Sequence, residues 1–425
     1  MAWGIIGTLC LVGPVALPFA PMTEDPAKDA LTLALLVLGA VLPLAAVMGH
    51  GACSKLRSVT PAGALAAWLL LTSALGDRPL TSLAALWPFL VGLGLWGCVT
   101  LSRPPSRWIA TWWVCLGAST FAVAVFALWP PEWLPWDLAG QSARHRHASL
   151  FGNPLSVGDF LAPALCLALA ALLTARSLLG RAAAAALLAV GLAALVATAA
   201  RGPVLGAFAG FGAVALLALP ERARSLRVIL LGLGLILVAG AVHFALGSRS
   251  PARSLTARMG ESLDLRSESI RLRLTTWTLG SRMVWRAPML GHGWGSFEYL
   301  FQEEMGRALD DDPDGIWELE AYHLNGRIAH QAHCDYLEIA VNGGLVALAL
   351  FLWILSSGLT SGIGSLRSVS AAERWPRVGA IGAVVCSAVT MAVGFPLQRP
   401  IHMAVFWIAL GVCRASGIRR EVERP

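Results

Sequence analysis

Charged residues are scarce in this sequence: they make up only 13% of its 425 residues, whereas 56% are hydrophobic. A soluble globular domain usually carries about a quarter charged residues. Lysine is almost missing, since all but two of the basic residues are arginine, and the net charge of +7 is spread over many loops. The composition therefore excludes an ordinary soluble domain and gives no indication of nucleic-acid binding.

The cysteines lack the spacing of a metal site or a redox pair. None of the eight belongs to a CxxC motif, and most lie inside apolar runs, where a small side chain is compatible with lipid. Cys334 is an exception, because it lies in a polar segment beside His333. The chain also lacks an internal repeat and a basic segment before its first apolar run, so residues 3–20 predict a membrane helix rather than a cleaved signal.

Apolar runs long enough to cross a hydrocarbon core of about 30 Å recur along nearly the whole chain. We therefore expect an all-α polytopic membrane protein with about twelve transmembrane helices. The seventh and eighth should form a hairpin with Arg201 at its tip. The predicted spans are 3–20, 30–49, 59–75, 83–101, 108–129, 155–175, 182–199, 203–219, 228–246, 336–356, 378–394 and 400–415.

Alternate short loops lie on the same side of the membrane, and most of the lysines and arginines of the short loops fall on one side. Loops rich in positive charge stay in the cytoplasm, so this side, which includes both termini, is predicted to be cytoplasmic. The long segment 247–335, between the ninth and tenth spans, is then a large periplasmic loop. We expect one membrane domain, 1–425. Its parts are N-terminal scaffold helices (1–129), a periplasmic loop (130–154), central helices (155–246), the large loop (247–335), and C-terminal helices with a cytoplasmic tail (336–425).

The large loop has predicted structure of its own. Ser267 is placed to cap a helix that runs to about Arg286 and is stopped by Pro288. The glycines of GHGWGSF at 291–297 indicate a tight backbone turn, because the motif lacks the third glycine of GxGxxG and the Lys-Ser/Thr of a P-loop. The acidic stretch 303–320 predicts a solvated partial lid.

Four segments predicted to lie outside each present a basic residue beside a span end: Arg146, Arg201, Arg273 and His333. Taken singly, each arginine is explained as well by a position at the membrane interface, where it reaches lipid phosphates, as by a role in binding. His333, taken singly, is explained by a structural hydrogen bond in the loop. Gathered around one cavity, the arginines would suit a pyrophosphate, because guanidinium groups donate bidentate hydrogen bonds to anionic oxygens. His333 would then be the general base.

Further candidates are Arg271, His330, Arg399 and the intramembrane carboxylate Asp159. Asp159 either pairs with an arginine or takes part in catalysis, and Arg399 either joins the cavity or anchors the interface, as does His402. A zinc site is disfavoured, because this region lacks the glutamate of HExxH. That site would use His330, His333, Cys334, Asp335 and Glu338.

The order of these motifs resembles the O-antigen ligase and polymerase family of bacterial envelope glycosyltransferases, most clearly over residues 140–415. Cys334 stands where that family more often has asparagine. The matching elements are Arg146 ahead of Phe151-Gly152-Asn153-Pro154, the hairpin tip Ala200-Arg201-Gly202, Arg273 with Trp277 and the turn 288–293, and His333 followed by Gly344 and Ala347.

The resemblance implies a GT-C-like bundle in the bacterial inner membrane, with its active site on the periplasmic face. There the protein would move a glycan from undecaprenyl pyrophosphate to a sugar hydroxyl, without a nucleotide sugar, a metal or another cofactor. Arg146, Arg201 and Arg273 would hold the pyrophosphate, and His333 would remove the acceptor proton. The acceptor would be the lipid A core for a ligase, or a second lipid-linked glycan for a polymerase.

Two functions of other classes stay open. A transporter or flippase for lipid-linked sugars would line a path through the bilayer with arginines, and a scaffold for envelope assembly would bind partners without turnover. Transporters often show repeated halves and broken midplane helices. The basic candidates of this chain fall at one predicted face and no half is repeated, which favours the enzyme.

Overall fold

The computed structural model describes residues 59–129, 149–151, 153–218, 268–311 and 329–423. Within these ranges the chain is all-α, as predicted, with short 3₁₀ turns at Ser149–Phe151 and Pro396–Gln398. The helices are α1 Thr60–Leu75, α2 Pro79–Ser102, α3 Ser106–Leu128, α4 Pro154–Thr174, α5 Leu178–Ala197, α6 Arg201–Ala218, α7 Glu268–Arg286, α8 Phe297–Asp311, α9 Asp335–Ser365, α10 Ala371–Met391 and α11 Pro400–Glu423.

Six of these helices, α2 to α6 and α9, are long and apolar enough to cross a membrane. Two more apolar helices, α1 and the Pro400–Ala415 part of α11, are shorter. Each predicted span within the described ranges coincides with a helix, although α9 continues nine residues beyond the predicted end at 356. The spans 3–20, 30–49 and 228–246 lie outside the described residues, so the total of twelve stays a prediction.

The centre of the bundle is formed by α4 and α10. Helix α10 packs along both α4 and α6, and α11 packs along α2 and α9. Helix α6 presents three glycines at four-residue spacing to α10 and to Val393 just after it: Gly202, Gly206 and Gly210. A Cβ atom at Gly210 would lie only 2.7 Å from the carbonyl oxygen of Gly382. Small residues at this spacing let two membrane helices approach closely, so the stripe fixes Arg201 beside the end of α10.

The large predicted loop contains the helix pair α7 and α8. Helix α7 ends at Arg286, two residues before Pro288, which confirms the predicted helix; Ser267 itself lies outside the described residues. An apolar face of α7 with Leu279 and Met283 packs on Phe297 and Phe301 of α8.

One carboxylate of the predicted acidic lid is buried between these helices. The side chain of Glu304 is only 2% exposed and accepts a hydrogen bond from Arg282 Nε at 2.9 Å. Arg286 Nε lies 3.1 Å from its other oxygen. The prediction of a solvated acidic stretch is therefore wrong at Glu304, because paired charges offset the cost of its burial. Residues 312–320 of that stretch lie outside the described residues.

The glycine-rich turn after α7 is a backbone device, as predicted. Gly291, Gly293 and Gly295 have φ angles of 67°, 93° and 73°. These left-handed conformations favour glycine, because a Cβ atom would strain them. The turn packs against the ends of α1 and α2, where the ring of Trp294 lies 4.5 Å from that of Phe89.

Helix α9 is interrupted at Gly344, where φ is 73° and ψ is −178°. The interruption frees backbone groups that would be costly to leave unpaired in an apolar bundle. The turn after α7 supplies their partners. The bonds are His292 N to Val341 O at 3.0 Å, Gly293 N to Asn342 O at 2.9 Å, and Leu345 N to Pro288 O at 2.7 Å. The break in α9 therefore fixes the carboxyl end of α7 to the bundle.

We expect Gly344→Ala to loosen this joint and to lower both thermal stability and activity. Its Cβ would contact the Met289 carbonyl and lie 2.9 Å from the Pro288 carbonyl oxygen, at a φ of +73°. The strain should cost about 1–3 kcal/mol, measured as a lower unfolding temperature in detergent. Gly364→Ala is the matched control, because its Cβ on the same helix would meet nothing within 4 Å. Equal unfolding temperatures for the two variants would contradict this role of the break.

Candidate active site

Arg201 is the first residue of α6, directly after a tight turn of residues 198–200. Ala199 has a φ of 50°, and the Thr198 hydroxyl accepts a hydrogen bond from the Ala200 amide at 3.2 Å. This local bond satisfies the backbone where one helix ends and the next begins. The predicted hairpin tip is therefore confirmed, and Arg201 lies at the start of a helix.

Arg273 lies near the start of α7 and shares a cavity of about 310 Å³ with Arg201. The structure thus brings together two of the predicted pyrophosphate ligands from separate parts of the chain. The rest of the lining is mostly apolar: Gly202, Leu205, Ile270, Leu274, Trp277 and Val393. Two guanidinium groups in an apolar cavity can attract an anion, because low polarity strengthens their attraction for negative charge.

His333 lies next to α9 in a strained backbone conformation, with a φ of 52°. The preceding residue is held firmly, because the amide of the buried Ala332 donates to Glu338 Oε2 at 2.7 Å. The imidazole packs edge-on against Phe395, with 4.9 Å between ring centroids. Its Nδ1 atom is buried and has no hydrogen-bond partner in the described part of the chain. A left-handed histidine held this way is typical of a functional residue.

The electrostatic surroundings keep His333 neutral. Burial, followed by the positive charges of Arg273 and Arg399, lowers the pKa of His333 to about 4. The imidazole is therefore uncharged at neutral pH, with one ring nitrogen unprotonated, which is the form that a general base needs. Arg273 also lines the cavity, so its charge acts on His333 and on the contents of the cavity alike.

Asp159 and Arg399 face each other, with 3.8 Å between Asp159 Oδ2 and Arg399 Nη1. The Asp159 side chain is only 1% exposed. Asp159 therefore pairs with an arginine, one of its two predicted alternatives, and its part in catalysis stays a prediction. The charge of Arg399 lowers the pKa of His333, so the two residues lie near each other. His402 instead anchors α11 to α4, because its Nε2 lies 2.7 Å from the Ser156 carbonyl oxygen.

The residues proposed for a zinc site have separate partners. His330 is exposed and binds Glu298 at 2.8 Å, and Asp335 accepts a hydrogen bond from the Leu397 amide at 3.0 Å. Glu338 is occupied by the Ala332 amide. Burial raises the pKa of the Cys334 thiol, which favours the protonated form. His330 is therefore not part of the cluster around His333.

Two candidate arginines are not placed by the structure. Arg146 lies outside the described residues, and only the backbone of Arg271, within α7, is described. The motif after Arg146 has a structural role at its end: the Asn153 side chain caps α4 by accepting from the Leu155 amide at 2.9 Å. Phe151 packs on His402, with ring centroids 5.5 Å apart.

Phe395 was not predicted as a site residue. It lies in the connection between α10 and α11, between the imidazole of His333 and the guanidinium of Arg399, whose Cζ is 4.8 Å from the ring centroid. Its only signal in the sequence is its place in the segment GFPLQRP, four residues before Arg399. Proximity to His333 across 62 positions is a tertiary contact that a single sequence does not reveal.

Residues 183–352 match a family of known proteins described as O-antigen ligase. The match begins within α5, ends within α9 and includes Arg201, Arg273 and His333, so the family resemblance predicted from the sequence is confirmed. It supports a function of the O-antigen ligase or polymerase type. No curated protein matches the chain.

Proposed function

Because residues 183–352 match the O-antigen ligase family, we propose that the protein transfers a glycan from undecaprenyl pyrophosphate to a sugar hydroxyl of an acceptor. We propose the lipid A core as the acceptor and the periplasmic face of the bacterial inner membrane as the place of reaction. The observation that carries the proposal is the shared cavity of Arg201 and Arg273, beside the neutral imidazole of His333.

The arginines bind the pyrophosphate of the donor in this mechanism. Arg201 and Arg273, joined by Arg146, donate hydrogen bonds to its oxygens and take the part that a divalent cation plays at other pyrophosphate sites. The donor joins a polyprenyl chain to a pyrophosphate, so the apolar lining from Leu205, Leu274 and Trp277 suits its lipid part. The two arginines suit its pyrophosphate.

His333 acts as the base. It removes the proton from the acceptor hydroxyl as the oxygen forms a bond to the anomeric carbon of the donor glycan. The bond from that carbon to the pyrophosphate oxygen breaks, and its electron pair leaves with the pyrophosphate. A bound pyrophosphate offsets the charges of Arg273 and Arg399, which otherwise lower the pKa of His333. Donor binding thus strengthens the base when it is needed.

A defined lipid-linked glycan, offered with each acceptor in turn to the purified protein in liposomes, tests the proposal. We expect one added glycan block on the lipid A core. A ladder of products on a second lipid-linked glycan would instead assign a polymerase. Movement of labelled donor across the bilayer with no covalent product would contradict both and favour a flippase, and binding without turnover would favour a scaffold.

A further inference from the structure

The connection between α10 and α11 is held against the start of α9. The backbone amide of Asp335 donates to the Gly394 carbonyl at 3.2 Å, and Asp335 Oδ2 accepts from the Leu397 amide at 3.0 Å. Asp335 follows His333 by two residues. The connection that carries Phe395 is therefore fixed directly beside His333.

The same connection is held on its other side by α4. Arg399 Nη1 lies 3.8 Å from Asp159 Oδ2. Asp159 is fully enclosed, and neither of its carboxylate oxygens has a hydrogen-bond partner in the described part of the chain. A buried carboxylate depends on a nearby positive charge to offset its desolvation. The ion pair with Arg399 therefore links Asp159 directly to the connection between α10 and α11.

The ring of Phe395 lies between Arg399 and the imidazole of His333 and contacts both. The guanidinium carbon of Arg399 lies 4.8 Å from the centroid of Phe395, within the range of a cation–π contact. Phe395 also contacts the ring of His333, at 4.9 Å and an interplanar angle of 75°. Four side chains from three separate segments thus form one continuous chain: Asp159, Arg399, Phe395 and His333.

We propose that Asp159 is a positioning residue for His333: its ion pair with Arg399 holds that guanidinium on Phe395, and Phe395 in turn sets the orientation and the electrostatic surroundings of the imidazole. The catalytic consequence rests on the proposed function. The effect on the protonation of His333 does not, because it depends only on where the guanidinium of Arg399 is held.

The arrangement predicts the sign of that effect. Arg399 is one of two arginines that lower the pKa of His333. Removing the charge of Arg399 should raise the pKa of His333, and replacing Asp159 should raise it by less, because Arg399 is then no longer held on Phe395. The titratable and charged groups around His333 are Arg273 from α7, Arg399 from the α10–α11 connection, Asp159 from α4, and Cys334, Asp335 and Glu338 from its own segment and α9.

The exchange rate of the imidazole C2 hydrogen, followed by mass spectrometry against pH, reports the protonation of His333 without any need for substrate. We expect Arg399→Gln to move its midpoint upward by about one pH unit, and Asp159→Asn to move it in the same direction by less, because Arg399 is no longer held on Phe395. In the Arg399→Gln background, Asp159→Asn should have no further effect, because it acts through Arg399. Glu373→Gln is the control, since Glu373 binds Ser106 far from this site.

A midpoint that Asp159→Asn leaves unchanged, or shifts equally with and without Arg399, would overturn the inference even if both variants fold. In the transfer assay we expect Asp159→Asn to lower kcat about tenfold with little change in KM for the donor, because the base is misplaced rather than the pyrophosphate released. An inactive wild type would count against the proposed function while leaving the exchange result to decide the role of Asp159.

Discussion

Replacement of His333 by asparagine should reduce glycan transfer by a factor of about 100 or more, the usual contribution of a general base. Asparagine is the most informative substitute, because it tolerates the left-handed backbone at this position, where φ is 52°. The variant therefore removes the proton acceptor without adding backbone strain. The measurement is the initial rate of transfer from a lipid-linked glycan at saturating acceptor.

The pH dependence of the wild type completes this prediction. The pKa of His333 lies at about 4, so kcat/KM should stay high through neutral pH and fall only as His333 becomes protonated in acid. The asparagine of the His333→Asn variant cannot titrate in this way, and the variant should lose the acid limb along with its activity. Donor binding and unfolding temperature should stay near those of the wild type. A variant with full activity, or one that keeps the acid limb, would show that another group is the base.

Local patterns predicted the helices well, because hydropathy and helix-ending signals act within one segment. The helix before Pro288, the glycine turn at 291–297 and the turn before Arg201 all follow from residues near to them in sequence. Glu304 was misjudged for the opposite reason. Its partner Arg282 is 22 positions away, and a charged residue is expected to be solvated unless its partner is known.

The four-residue spacing of Gly202, Gly206 and Gly210 in α6 is visible in the sequence. The helix against which these glycines pack cannot be identified from it. Spacing alone indicates a close helix contact, whereas the identity of α10 as the other helix depends on the packing of the whole bundle. The break in α9 was hidden in a similar way. Gly344 lies in an apolar run, and its role depends on a turn more than fifty residues earlier, around Pro288.

The candidate site was predicted as a set of residues rather than as an arrangement. Arg201, Arg273 and His333 stood out because charge is scarce near membrane spans, and scarcity is visible in a sequence. The side chains that support them were not distinguishable in this way. Phe395 resembles any apolar residue between spans, and the pairing of Asp159 with Arg399 joins positions 240 residues apart.

Alanine at either Arg201 or Arg273 should lower kcat/KM by about 100-fold, since one donor to a developing negative charge is commonly worth that factor. Lysine should restore only part of the loss, because it keeps the charge but not the two-pronged hydrogen bonding of guanidinium. Arg181→Ala is the matched control, as this arginine is exposed and bonds the Ala175 carbonyl at 2.7 Å, at the other end of α4.

The two arginines line one cavity, so their effects should not be independent. If both contact the same pyrophosphate, the first substitution already spoils its placement, and the double variant should lose less than the product of the single losses. A fully multiplicative loss would mean that they act on different parts of the substrate. The division of the loss between kcat and KM shows whether the arginines act in donor binding or in the transition state. Negative charge on the pyrophosphate grows as the glycosidic bond breaks, so the larger loss should appear in kcat.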